Sequence, residues 1–244
     1  LVGEVDGVVI VDNASRNIGD IEVMCKSLPI KCGVVRLQFN SGIAHALMIG
    51  THHAIRNYSP GWLLFLDDDT VVLRNSVKTV MRIIEGLPRN VRERIGIVGL
   101  GYMVGDCRAY SIRHSIFSGS LVRADVALRA CCRSDFFLDQ ADFDFYFRVR
   151  RMGLLTLHIN CKLLDHRLGS GFYTPLLRRF VGYEPPWRYY YIVRNSTVLM
   201  REGALTILDY LRQLIIWGIP ILLRDNVRKF LKPLGLGIMH ALLN

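Results

Sequence analysis

Three apolar runs in the first third of the chain stop abruptly on acids or amides. GVVIVDN ends on Asp12 and Asn13, VVRLQFN on Asn40, and WLLFLDDD on Asp67, Asp68 and Asp69. Runs of this length bounded by polar turns read as buried strands. Between and after them, SGIAHALMIGTHHAI and SVKTVMRIIEGL carry apolar residues at helical spacing, with Ser76 expected as N-cap of the second and Gly86 near its end. RIGIVGLGY reads as a fourth strand and LTLHINCKLLDH as a late one, while SGSLVRADVALRA and QADFDFYFRVRRMGL turn into helices. Strands alternating with helices predict an α/β sheet with crossover helices. Ligands bind such sheets at the carboxyl ends of strands, where these polar residues lie.

Half of the 244 residues are apolar, enough for a sizeable core. After about residue 172 the chain becomes helical, aromatic and basic, which predicts a boundary between residues 1–172 and 173–244. The chain begins at Leu1 rather than Met and enters an apolar run almost at once, so further structure is expected upstream. A net charge of +10 calls for an anionic partner without choosing among nucleic acid, an acidic membrane and phosphorylated substrates. The six cysteines form no C-x-x-C pair, and free thiols in a reducing compartment fit their scatter best. No segment has the ~20 uninterrupted apolar residues of a membrane span. LIIWGIPILL followed by RDNVRKFLK, within residues 205–232, reads either as a peripheral membrane contact or as a packed helix with a solvated basic face.

The aspartate triplet is the most informative local feature. Along an extended chain Asp67 and Asp69 share a side, and two such charges about 6 Å apart repel by roughly 3 kcal/mol at an effective dielectric near 20. A Mg²⁺ or Mn²⁺ ion reverses that sign; a solvated acidic turn is the alternative. A second acidic group, FFLDQADFDFYFRVRR, places Asp139 and Asp142 three apart on a helix and sets Asp142 and Asp144 among aromatics. Such a carboxylate suits a general base; equally, these acids read as a first helical turn paired with Arg148 and Arg151. His166 ends a strand, where a lone histidine is more often structural than a ligand.

Taken in order, these segments resemble a family 2 glycosyltransferase of GT-A fold, in its rhamnosyltransferase-like and galactofuranosyltransferase-like branch. VVIVDNAS is similar to the nucleotide-binding strand, NSGIAHALMIG to the N-x-G-x-A helix start (with Met48 for the usual Asn), and LLFLDDDT to the D-x-D motif. FSGSLVRADVALRA resembles the acceptor-side segment, FFLDQADFDFYFRVRRMGL the stretch carrying the base, LLDHRLG the H-x-x-G element, and WRYYYIVRNSTVLMRE the R-x-Y-Y-x-x-R-N element. The resemblance implies a Rossmann-like sheet with a C-terminal helical extension, the family's first strand lying before residue 1. It implies that Asp12, Asn13, Asn40, Gly42, Asp67 and Asp68 border a nucleotide-sugar site. Asp67, Asp69 and His166 would hold Mg²⁺ or Mn²⁺, and Asp142 would be the base, with Asp144 and Arg148 supporting it. The implied reaction is inverting transfer of rhamnose, a similar deoxysugar or galactofuranose. The donor is dTDP- or UDP-linked and the acceptor a glycan or lipid-linked molecule, in cell-surface polysaccharide synthesis. The expected location is the cytoplasm or the cytoplasmic membrane face, and no nucleic-acid partner is expected. Trp187, Tyr189, Tyr190 and Tyr191 are offered either for stacking on sugars or as buried packing.

Three rivals remain. FLDDDTVV fits the D-x-D-x-[TV] motif of haloacid-dehalogenase-like phosphatases, and VGDC imitates their later Gly-Asp, but Tyr110 stands where another Asp is wanted. IVGLGYMVG resembles a dinucleotide loop without a following helix. A basic, non-catalytic binding module explains the charge but not the placed carboxylates.

Overall fold

The computed structural model describes residues 1–166, 171–174 and 179–243. The chain divides into two compact units, one of Leu1–Asp135 with Phe145–Arg167, the other of Phe136–Asp144 with Leu168–Asn244.

The first unit opens with a βαβ turn: strand β1 (Gly7–Asp12), helix α1 (Ile18–Ser27) and strand β2 (Lys31–Arg36), parallel to β1 with Asp12 opposite Arg36. Helix α2 (Ile43–Tyr58) leads to β3 (Trp62–Phe65), β4 (Thr70–Val72), α3 (Ser76–Glu85) and the short α4 (Arg89–Arg92). Then come β5 (Ile95–Leu100), β6 (Ala109–Ser111), β7 (Ser120–Arg123), α5 (Ala124–Ala130), α6 (Ala141–Arg151), β8 (Leu155–Ile159) and β9 (Leu164–His166). A five-stranded sheet runs β3-β7-β5-β8-β6, with β5 and β8 parallel and the other pairings antiparallel. Strand β9 pairs antiparallel with β4.

Every residue of β5 is buried, and its side chains join Val80 and Ile84 of α3 and Leu157 and Ile159 of β8 in the core. The glycines in RIGIVGLGY serve this packing. A Cβ on Gly96 would lie 2.6 Å from Val149 of α6, so the helix settles on the strand only because that carbon is missing. No helix follows this loop, which continues into β6, so the dinucleotide reading lapses.

Helix α3 starts differently from the expectation. Ser76 is its first residue rather than its cap, and its hydroxyl donates to the Leu163 carbonyl at 2.7 Å. The open amides are satisfied by Glu4, whose carboxylate accepts from the backbone of Asn75 at 2.6 Å, Val77 at 2.9 Å and Lys78 at 3.5 Å. An anionic group is favourable there because helix N-termini are electropositive.

The cysteines also differ from the expectation. All six are paired, as Cys25–Cys32, Cys107–Cys161 and the adjacent Cys131–Cys132. The free-thiol argument for a reducing compartment falls with this. Local spacing missed the first two because the partners come together through the α1–β2 turn and through the β6–β8 edge.

The second unit contains a hairpin, β10 (Gly171–Thr174) with β11 (Arg179–Gly182), and three helices, α7 (Pro186–Arg201), α8 (Ile207–Arg224) and α9 (Val227–Leu243). Tyr189, Ile192 and Val193 of α7 and Ile221 of α8 form its core, with Phe230, Leu234 and Ile238 of α9 against them. A Cβ on Gly237 would lie 2.8 Å from Val193, so this glycine sets the close approach of α9 to α7. Among the described residues no helix is long and apolar enough to cross a membrane.

His158, on strand β8, has its pKa held below the ordinary 6.5 by burial. The unfolded chain therefore protonates first as pH falls, and the stability this residue contributes above pH 6.5 is lost as pH drops through the folded value. Denaturant midpoints at pH 7.5 and 5 are expected to fall more in the wild type than in His158→Gln; parallel losses would refute the assignment.

Candidate functional site

Asp12 closes β1 and is 2% exposed. One of its oxygens accepts from the Ser15 amide at 3.0 Å, while Oδ2 is buried with no hydrogen-bond partner among the described residues. Asn13 reaches the loop before α2: its Nδ2 donates to Asn40 Oδ1 at 3.0 Å, and its Oδ1 accepts from the Ser41 amide at 2.9 Å. Asn40 Oδ1 also accepts from the Gly42 amide at 3.0 Å. Gly42, at φ 85°, supplies the left-handed step into α2. Asn40 thus does not end a strand, since β2 stops at Arg36, but the fold brings it to Asn13 nonetheless. A cavity of about 490 Å³ opens at the carboxyl ends of β1 and β2, lined by Ala14, Ser15, Arg36, Leu37 and Gln38. Arg36 was not singled out in the sequence, because its place opposite Asp12 depends on the β1–β2 register.

Asp67, Asp68 and Asp69 lie in a turn between β3 and β4 rather than on an extended strand, with the Thr70 amide reaching the Asp67 carbonyl at 3.4 Å. The turn is held by a residue that the sequence left unnamed. Ser118, buried in the loop before β7, accepts from the Asp67 amide at 3.0 Å, and its hydroxyl lies 2.7 Å from that of Thr70. Just before the turn, Phe65 packs with Phe117 and Phe145 at ring separations of 5.8–6.3 Å. Asp68 and Asp69 are exposed and Asp67 half-buried. Strand β9 sets His166 opposite Thr70, one residue beyond the acids. The His166 side chain and Gly169 of the H-x-x-G element lie outside the described residues. No group of three His, Cys, Asp or Glu side chains converges on a metal position among the described residues. The donor chemistry nonetheless fits Mg²⁺ or Mn²⁺, which take hard oxygens, often only one or two protein carboxylates completed by phosphate and water.

The second acidic segment is arranged differently from the helical reading. Asp139 precedes α6 and, like Gln140, has positive φ (58° and 61°). Its partner is neither Arg148 nor Arg151 but Arg188 of α7, whose Nε and Nη2 both donate to the carboxylate at about 2.9 Å. Arg188 also donates to Glu184 at 2.9 Å, and Asn195 donates to the carbonyls of Leu138 and Asp139 at 2.8 and 2.9 Å. Burial raises the Asp139 pKa, against the lowering effect of Arg188. Asp142 and Asp144 occupy the first turn of α6 and belong, with Asp139, to the second unit; Arg148 lies in the part of α6 that belongs to the first. Asp144 is 1% exposed, and Asp142 accepts from the Phe143 amide at 2.9 Å. Of the candidate stacking aromatics, Tyr189 is fully buried, Tyr191 stacks on Phe137 and Tyr190 bonds His240, whereas Trp187 is exposed.

Comparison with known proteins agrees with this architecture. Residues 3–96 match the family described as Glycosyl transferase family 2. No curated protein matches the chain in sequence. A mannosyltransferase from Pyrobaculum calidifontis, PcManGT, solved with GDP-Man and Mn²⁺, superposes with a TM-score of 0.57 at 16% identity over 99% of this chain and 69% of its own. The 1–349 portion of S. aureus TarS gives 0.56 at 12% identity over 96% and 71%. GalNAc-T7 with UDP, GalNAc and Mn²⁺ gives 0.55 at 12% identity over 66% of this chain, which spans only 37% of that protein. The chain has the GT-A type of α/β fold.

Two substitutions test these supports. Ser118→Ala removes the hydroxyl that accepts from the Asp67 amide and lies beside Thr70, and is expected to lower the unfolding free energy by about 1–2 kcal/mol. Arg188→Ala strands the buried Asp139 carboxylate and is expected to cost about 2–3 kcal/mol, with only partial recovery in Arg188→Lys, which lacks the two-pronged donor. Urea denaturation reads both; losses under a few tenths of a kcal/mol would show that these contacts do not hold their turns.

Proposed function

We propose that this chain is a metal-dependent glycosyltransferase that moves a sugar from a nucleotide-diphosphate donor to an acceptor hydroxyl with inversion. The observation that carries the reading is the β4–β9 register, which sets His166 opposite Thr70, the residue that directly follows the D-x-D acids. The family match over residues 3–96 and the nucleotide ligands of PcManGT and GalNAc-T7 support it.

In this reading Asp12, Asn13, Asn40 and Gly42 border the donor's nucleoside, with Asp12 Oδ2 available to accept a hydrogen bond from its base or ribose. Arg36, on the cavity wall, supplies a cation for the anionic donor. Asp67, Asp69 and His166 hold Mg²⁺ or Mn²⁺, with Asp68 beside them. Bound there, the ion supplies charge neutralisation for the departing diphosphate. Asp142 takes the proton from the acceptor hydroxyl, and Asp144 and Arg148 support its placement; one base and one displacement invert the anomeric centre. The resemblance favours a dTDP- or UDP-linked deoxysugar or galactofuranose, a glycan or lipid-linked acceptor, and work at the cytoplasmic membrane face. The P. calidifontis neighbour adds GDP to the nucleotides worth testing.

Calorimetric titration of UDP, dTDP and GDP, with and without Mn²⁺, tests this. One nucleotide is expected to bind in a Mn²⁺-dependent way, weakened about tenfold or more by Asp69→Ala, as for loss of a metal-ligand interaction. A folded protein that binds none of them under either condition would overturn the proposal.

A further inference from the structure

In the second unit, α8 and α9 leave an unusual amount of apolar surface uncovered. Leu208, Leu211, Ile215, Ile219 and Leu222 recur at helical spacing along α8 and are all exposed, Leu208 at 74% and Ile215 at 56%. They are not scattered. Leu211, Ile215, Ile219 and Leu222 form one wall of a groove of about 230 Å³, and Phe230 and Leu234 of α9 form the other. Val227 and Leu231 continue the exposed apolar surface along α9.

Charge surrounds this surface on one side. Arg224 ends α8, and Arg228, Lys229 and Lys232 occupy the first turns of α9, all exposed and gathered at the corner between the helices. With Arg212, residues 207–243 carry five cations against two acids, Asp209 and Asp225. Asp225 is already engaged, accepting from Lys229 at 2.7 Å and from the Tyr183 hydroxyl at 2.8 Å. A protein partner would need matching acids beside an apolar ridge, whereas an anionic bilayer presents both as a matter of course. Phosphates meet the cationic corner and acyl chains cover the stripe and groove.

We infer that the α8–α9 face docks in the plane of an anionic lipid bilayer, with the apolar stripe in the headgroup–acyl boundary and the Arg224–Lys232 corner on lipid phosphates. This does not depend on the proposed transferase activity. The face lies on helices too short and too interrupted by charge to span, so the attachment is peripheral and salt-sensitive.

Co-sedimentation of the full chain with vesicles tests it. Phosphatidylglycerol in phosphatidylcholine is expected to bind at least about tenfold more protein than phosphatidylcholine alone, and raised salt to remove the difference. Arg228→Glu with Lys232→Glu should abolish the preference. Ile215→Ser with Ile219→Ser, with helicity checked by circular dichroism, should reduce binding to both compositions. Equal binding to both lipids, or none to the anionic one at low salt, would overturn the inference. So would a dimer in sedimentation velocity that the isoleucine pair abolishes, because a second copy would then be the occupant.

Discussion

Three consecutive carboxylates repel one another, and separate elements of the first unit hold the turn that carries them. The turn that carries them is fixed at its start by the Ser118 hydroxyl and at its end by the pairing of β4 with β9. Phe65, Phe117 and Phe145 give the preceding strand end an apolar base that bending would disrupt. Loop, strand and helix therefore converge on a feature that the isolated segment would avoid. Acids gathered in one partly exposed turn offer hard oxygen ligands of the kind a divalent cation takes.

The second unit shows the same economy with backbone strain in place of charge. Asp139 and Gln140 both adopt a left-handed conformation that non-glycine residues take up only under constraint. The constraint is α7: Arg188 grips the Asp139 carboxylate, and Asn195 holds two consecutive carbonyls. These two residues belong to the R-x-Y-Y-x-x-R-N element, so a pattern visible in the sequence corresponds to a clamp on the residues just ahead of the α6 acids.

What could be read from the sequence was whatever local periodicity encodes. Strand β1, helix α2, strand β5 and the helix holding Asp142 all follow from apolar spacing within a single segment. The acid turn was legible as composition but not as a turn, because extended and turned chains share the same letters. The partners of Ser118, Glu4 and Arg188 in these contacts escaped because each lies at least 48 residues away, which no window of spacing contains. The Cys107–Cys161 pair, 54 residues apart, escaped for the same reason, whereas Cys25–Cys32 and Cys131–Cys132 are close in sequence but fit no C-x-x-C pattern.

The Glu4 carboxylate at the start of α3 has a kinetic implication. A helix normally finds its cap within its own first residues, and can nucleate as soon as those are made. Here the acceptor lies 71 residues upstream, so the first turn of α3 gains its cap only once a long loop has closed. That couples the docking of the amino-terminal segment to the maturation of the helix directly after β4. Strand β4 and the helix that follows it should then consolidate late and together, because their non-local contacts form only after that loop has closed.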